Sequence, residues 1–100
     1  MIVRLGDNGK TITLKLRERL EVRLPESQVS GYLWEFIENC PCLQFDDSDY
    51  EETGPARFTG LGERWWRFRV VSTGECELVF SLIRPWSGPS PEFSIKAIIR

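Results

Sequence analysis

Between residues 10 and 16 apolar and polar side chains alternate: Ile12, Leu14 and Leu16 fall on one side, Thr11, Thr13 and Lys15 on the other. Successive side chains of an extended chain point to opposite faces, so a period of two marks a half-buried strand. Leu20, Val22 and Leu24 repeat the pattern against Glu21 and Arg23. Pro25, with no N–H to give to a ladder, is expected to end that strand. After a small polar segment, Tyr32, Trp34 and Phe36 share one face of a third strand, and its aromatic content points to a central place in a sheet. Asn39, Cys40, Pro41 and Cys42 read as a turn, residues 43–45 as a short strand, and 46–53 as an acidic excursion whose strand content stays open.

The second half is more regular. Trp66, Phe68 and Val70 alternate with Trp65, Arg67 and Arg69, and Ser72, Thr73 and Gly74 supply a turn. Cys76, Leu78, Phe80 and Leu82 then alternate with Glu77, Val79, Ser81 and Ile83. Beyond a loop over 84–91, Phe93, Ile95 and Ala97 alternate with Ser94, Lys96 and Ile98. No window of helical length repeats at about 3.6 residues, and no segment repeats another. About seven short strands predict an all-β fold, an immunoglobulin-like β-sandwich, with residues 1–100 as a single domain. Successive connections of a sandwich alternate between its two ends, so 26–31, 54–63 and 84–91 are expected to share one end.

Composition narrows the chemistry. The 41% of hydrophobic residues among 100 suffices for one core. With 13 basic and 15 acidic side chains there is no field suited to a phosphate backbone, so no nucleic-acid partner is expected. The chain has no histidine, which removes the commonest general base and every Ser-His or Cys-His pair. Carboxylate chemistry would need two acids in a cleft, so no enzyme is expected. Of the three cysteines, Cys40 and Cys42 are too close in sequence for an unstrained bridge, and Cys76 pairs with either only if the fold brings them together. Reduced thiols are therefore the starting expectation, and the ligand count argues against a metal; no cofactor is expected. No apolar run approaches the roughly 20 residues that span a bilayer, and the N-terminus lacks the apolar run of a signal peptide. The expectation is a monomer with no membrane partner, cytoplasmic by default, or exported if this is a mature form.

Three segments carry recognition chemistry. Arg84, Pro85, Trp86, Ser87, Gly88 and Pro89 make a loop stiffened by prolines, which presents a guanidinium and a large amphipathic ring. Its alternative reading has Trp86 folded back over the core edge. Gly60, Leu61 and Gly62 form either a turn or bulge, or a loop able to lie flat on a partner. Ser27, Gln28, Val29, Ser30 and Gly31 suit a plain connection or a narrow wedge. Elsewhere, the acidic run 46–52 lacks the ligand spacing of a calcium loop and reads as a solvated acidic loop. Trp65, outward with Arg67 and Arg69, either offers a sugar- or protein-facing strip or stacks with arginine and covers a sheet edge.

Together and in this order, the three segments resemble the chagasin family of cysteine-protease inhibitors. That family has an immunoglobulin-like sandwich with three loops at one end, patterned Asn-Pro-Thr-Thr-Gly, Gly-x-Gly-Gly and Arg-Pro-Trp (or Phe). The third pattern is intact at Arg84, Pro85 and Trp86; the second stands as Gly60, Leu61 and Gly62 with Glu63 replacing its last glycine; the first is kept as Ser30, Gly31 and Tyr32, with Ser27, Gln28 and Val29 departing from it. The resemblance implies a wedge that blocks the cleft of a papain-like cysteine protease, with Ser30 and Gly31 nearest the catalytic cysteine. Gly60 and Gly62 would line one wall and Trp86 the other. A left-handed backbone at Glu63 would be strained by about 1–2 kcal/mol, and a carboxylate at the cleft rim would disfavour negative partners. The rival expectation is a non-inhibitory adhesion or assembly module that binds another protein, or a glycan through Trp65 and Trp86.

Overall fold

The alternating segments become strands because each has one apolar face to bury, and two sheets facing each other bury most of that surface at once, although Leu16, past the end of the second strand, stays exposed. The computed structural model describes residues 1–27, 33–38, 40–52, 61–83 and 92–100. Its strands are β1 (Ile2–Arg4), β2 (Thr11–Leu14), β3 (Arg19–Ser27), β4 (Leu33–Glu38), β5 (Leu43–Glu52), β6 (Leu61–Val70), β7 (Gly74–Ile83) and β8 (Glu92–Ile99). A single turn of 3-10 helix, Leu5–Asp7, follows β1. One sheet runs β1-β3-β6-β5 and the other β2-β8-β7-β4, so the β-sandwich expected from the sequence is what forms. The extra strand is β1, three residues lying parallel to Glu21–Arg23 of β3.

Phe80 of β7 is fully buried and joins the layers: its ring lies 5.0 Å from Phe36 of β4 and 6.1 Å from Phe93 of β8 within its own sheet, and 4.6 Å from Trp66 of β6 across the sandwich. Phe68 and Phe93 are equally buried, amid Leu20, Val22, Leu24, Leu78 and Ile95. Burying a phenylalanine is worth about 1.5–3 kcal/mol, against about 1 kcal/mol for the geometry of a ring pair, so area removed from water dominates this core.

Three expectations are corrected. Pro25 does not end β3, which pairs on through Pro25↔Glu63 to Ser27↔Leu61. The Glu21 N–H donates to the Met1 carbonyl, so odd-numbered backbone groups of β3 face β1. Since β1 stops at Arg4↔Arg23, the nitrogen of Pro25 points past its end and no ladder bond is forfeited. Among the described residues the aromatic strand β4 is an edge strand with β7 as its neighbour. Trp34 and Phe36 point into the sandwich while Leu33 and Ile37 lie exposed, so the aromatics report which face is buried rather than a central position. The acidic run 46–52 is regular strand, bulged at Phe45/Asp47, on the edge of its sheet. Charge along such an edge discourages pairing with another chain.

The fourth correction concerns the thiols. Cys40 and Cys76 form a disulfide, with Cα atoms 5.2 Å apart. The antiparallel register that sets Glu38 opposite Val79 carries residue 40 to the neighbourhood of residue 76. Cys42 stays a buried thiol, its Sγ donating to the Thr73 carbonyl at 3.4 Å. A Cβ on Gly74, whose φ is +142°, would press on that sulfur, so a glycine is required there. The bridge closes a sequence separation of 36 residues. Its reduction, or Cys76→Ser, is expected to lower the unfolding free energy by about 4 kcal/mol, read as a lower urea midpoint. An unchanged midpoint would show that the bridge does not constrain the chain.

Candidate functional site

The strand ends flanking the three motif segments gather at one end of the sandwich. Ser27 at the end of β3 pairs with Leu61 at the start of β6, and Gly62 pairs with Glu52 at the end of β5. In the other sheet Leu33 pairs with Ile83, and Ser81 with Glu92. Connections 28–32, 53–60 and 84–91 therefore leave from neighbouring strand ends. Gln28, Val29, Ser30, Gly31, Gly60, Arg84, Pro85 and Trp86 lie outside the described residues.

Of the other sequence-selected positions, Ser27 closes β3, while Leu61, Gly62 and Glu63 belong to β6 rather than to a loop. A Cβ at Gly62 would collide with the Glu51 carbonyl oxygen and the Tyr50 ring, so the glycine lets Tyr50 lie across the strand and needs no unusual backbone. Glu63 likewise carries no left-handed strain: among the described residues positive φ occurs at Arg17, Gly9 and Gly74. Its carboxylate is on the outer face of the sheet, accepting from Arg4 Nη1 at 2.6 Å and Arg23 Nε at 3.1 Å. Burial alone would raise the Glu63 pKa, but those two hydrogen bonds outweigh it and hold the carboxyl below its ordinary range. Glu21 is in the same situation, with burial opposed by Arg67 at 2.6 Å and Arg23 at 2.8 Å. Arg23 also donates to Glu51, so one guanidinium ties three acids together.

Sequence reasoning missed Glu26. It continues the inward parity of Leu20, Val22 and Leu24, and its side chain is 1% exposed. One carboxylate oxygen accepts from Arg64 Nε at 3.0 Å and Nη2 at 2.8 Å; the other accepts from the Trp34 N–H at 2.9 Å. The Trp34 indole N–H donates to the Pro25 carbonyl at 2.8 Å, and the Tyr50 hydroxyl donates to the Glu26 carbonyl at 3.4 Å. The inward parity itself is the available signal, and a strand that stops at Pro25 hides it.

Trp65 resolves towards stacking. It is 9% exposed, with the Arg67 guanidinium 4.1 Å from its ring centroid. The sulfurs of Cys40, Cys42 and Cys76 lie within 4.8 Å of one another, but two of them are bonded together, at the end of the sandwich away from the motif segments.

Glu63 therefore contributes to the fold from the outer face of its sheet. Replacing it by glycine leaves Arg4 and Arg23 without that acid and puts a flexible residue inside a strand, so Glu63→Gly is expected to destabilise the fold by about 1 kcal/mol or more, measured by urea unfolding. A gain in stability would contradict the placement. The lowered carboxyls of Glu63 and Glu21 set the pH dependence. Both bind protons less readily folded than unfolded, so their stabilisation is present above the ordinary glutamate value of about 4.3 and is lost as pH falls through the folded values. Wild type should lose stability below about pH 4 more steeply than Glu63→Gln; parallel acid limbs would contradict the assignment.

Among curated proteins none matches the chain in sequence. Solved structures do resemble it. The cysteine protease inhibitor EhICP2 from Entamoeba histolytica is 16% identical with a TM-score of 0.85, the match covering 99% of this chain and 94% of that one. Amebosin is 22% identical, TM-score 0.75, covering 99% and 96%. PbICP-C, solved in complex with falcipain-2, is 18% identical, TM-score 0.70, covering 99% and 98%. At such identities the likeness is one of fold. The family model of the chagasin family peptidase inhibitors (I42) matches residues 13–97, from within β2 to within β8. By that match, which takes in all three motif segments, the chain belongs to the chagasin family of peptidase inhibitors.

Proposed function

We propose that this chain is a proteinaceous inhibitor of papain-like cysteine proteases that fills the active-site cleft with connections 28–32, 53–60 and 84–91, residues 1–100 acting as one domain. Membership of a peptidase-inhibitor family already separates it from enzymes. The observation that carries the reading is the gathering of the strand ends that bear the three motif segments at one end of the sandwich. EhICP2 is itself described as a cysteine protease inhibitor, and PbICP-C has been seen with falcipain-2.

In this reading Ser27, Gln28, Val29, Ser30 and Gly31 approach the catalytic cysteine, Gly60, Leu61 and Gly62 follow one wall, and Arg84, Pro85 and Trp86 pack on the other. Glu63 anchors the second segment through Arg4 and Arg23 instead of offering a carboxylate to the cleft. No bond in either protein need break. A scaffold of two packed sheets loses little freedom on docking, which favours tight binding. The glycan-binding alternative loses half its support, because the Trp65 ring is covered by Arg67.

The chain is expected to inhibit at least one papain-like protease competitively at submicromolar concentration. Folded protein that leaves a panel of such enzymes untouched at micromolar concentration would overturn the reading. Within it, Trp86→Ala is expected to raise the inhibition constant about thirtyfold, as for a buried interface anchor; an unchanged constant would remove Trp86 from the contact.

A further inference from the structure

Glu26 is an odd choice for the interior. A buried ion pair contributes little net stability, and replacement of both partners by apolar residues is often neutral or favourable. What such a pair supplies is direction. The Glu26 carboxylate accepts three hydrogen bonds that fix Arg64 of β6 in one sheet against the Trp34 backbone of β4 in the other. The Trp34 indole N–H adds a second tie between β4 and β3, donating to the Pro25 carbonyl.

The position of this clamp along the chain is what matters. Glu26 is two residues before the connection 28–32, and Trp34 is two residues after it. Arg64 is four residues after the connection 53–60, and Tyr50, whose hydroxyl reaches the Glu26 carbonyl, is three before it. Leu33, next to Trp34, pairs with Ile83, the last residue before 84–91. All three connections are rooted within a few residues of one carboxylate.

We infer that Glu26 is a positioning residue for the inhibitory end, setting the three connections relative to one another rather than holding the fold together. The inference rests on the proposed inhibitory function and adds to it a residue that touches no protease.

The test compares wild type with Glu26→Gln and with Glu26→Met/Arg64→Met, at a temperature where circular dichroism shows each fully folded. Two quantities are read: the inhibition constant against a susceptible papain-like protease, and hydrogen exchange of segments 28–32 and 84–91. The double variant should melt close to wild type, while both variants lose inhibition by about tenfold or more and exchange faster in those segments. Folded variants with wild-type inhibition overturn the inference, as does lost inhibition with unchanged exchange. If the double variant does not fold, Glu26→Gln decides alone, because it keeps an acceptor for the Trp34 N–H. If wild type inhibits nothing, the functional reading fails by itself, and exchange still decides the positioning: faster exchange supports it and wild-type exchange overturns it.

Discussion

The structure depends on the face-to-face meeting of two four-stranded sheets, and that meeting is made around the buried ring of Phe80. With Trp66 across the sandwich and Phe36 and Phe93 beside it, that ring ties three strands to its own. Because the contact lies between layers, it holds β6 against β7 across the sandwich.

An apolar core cannot by itself dictate directions at its edge, since hydrophobic contact is non-directional. The two ends of the sandwich are closed in different ways. At one, the Cys40–Cys76 disulfide and the buried Cys42 thiol bind the turns with sulfur. At the other, below the motif-bearing connections, closure is polar: the Glu26 carboxylate, the Arg64 guanidinium, the Trp34 backbone and ring N–H groups, and the Tyr50 hydroxyl. Hydrogen bonds have the angular preference that a fixed binding edge needs. The outer face of the β3–β6 pair adds a lattice of Arg4, Arg23, Glu21 and Glu63, which stiffens the strands from outside.

Much of this was legible as alternation. The strands around Phe68, Phe80 and Ile95 follow a period of two closely enough to be read, because each has a wetter and a drier face, although Trp65 is buried on the outer side. Alternation failed where that contrast is missing. Residues 46–52 are exposed or half-exposed on both faces of an edge strand, so their polar run hid a regular ladder. Pro25 looked like a stop because a missing N–H matters only on the side where a neighbour waits, and a single sequence does not say which side that is. Glu26 was invisible for the same reason, and the pairing of Cys40 with Cys76 follows from a register between strands that no local pattern contains. The three motif segments, the third intact and the first two altered, could by contrast be read in order along the strand pattern, and together they pointed to the chagasin family.

The central claim is that one end of the sandwich enters a protease cleft. A crystal structure of the chain bound to a papain-like protease tests it most directly. Residues 27–31, 60–62 and 84–86 are expected inside the cleft, the first group beside the catalytic cysteine, with Glu26 still bonded to Arg64 and Trp34. A complex in which the chain docks through a sheet face or through the disulfide end, leaving the cleft open, would contradict it.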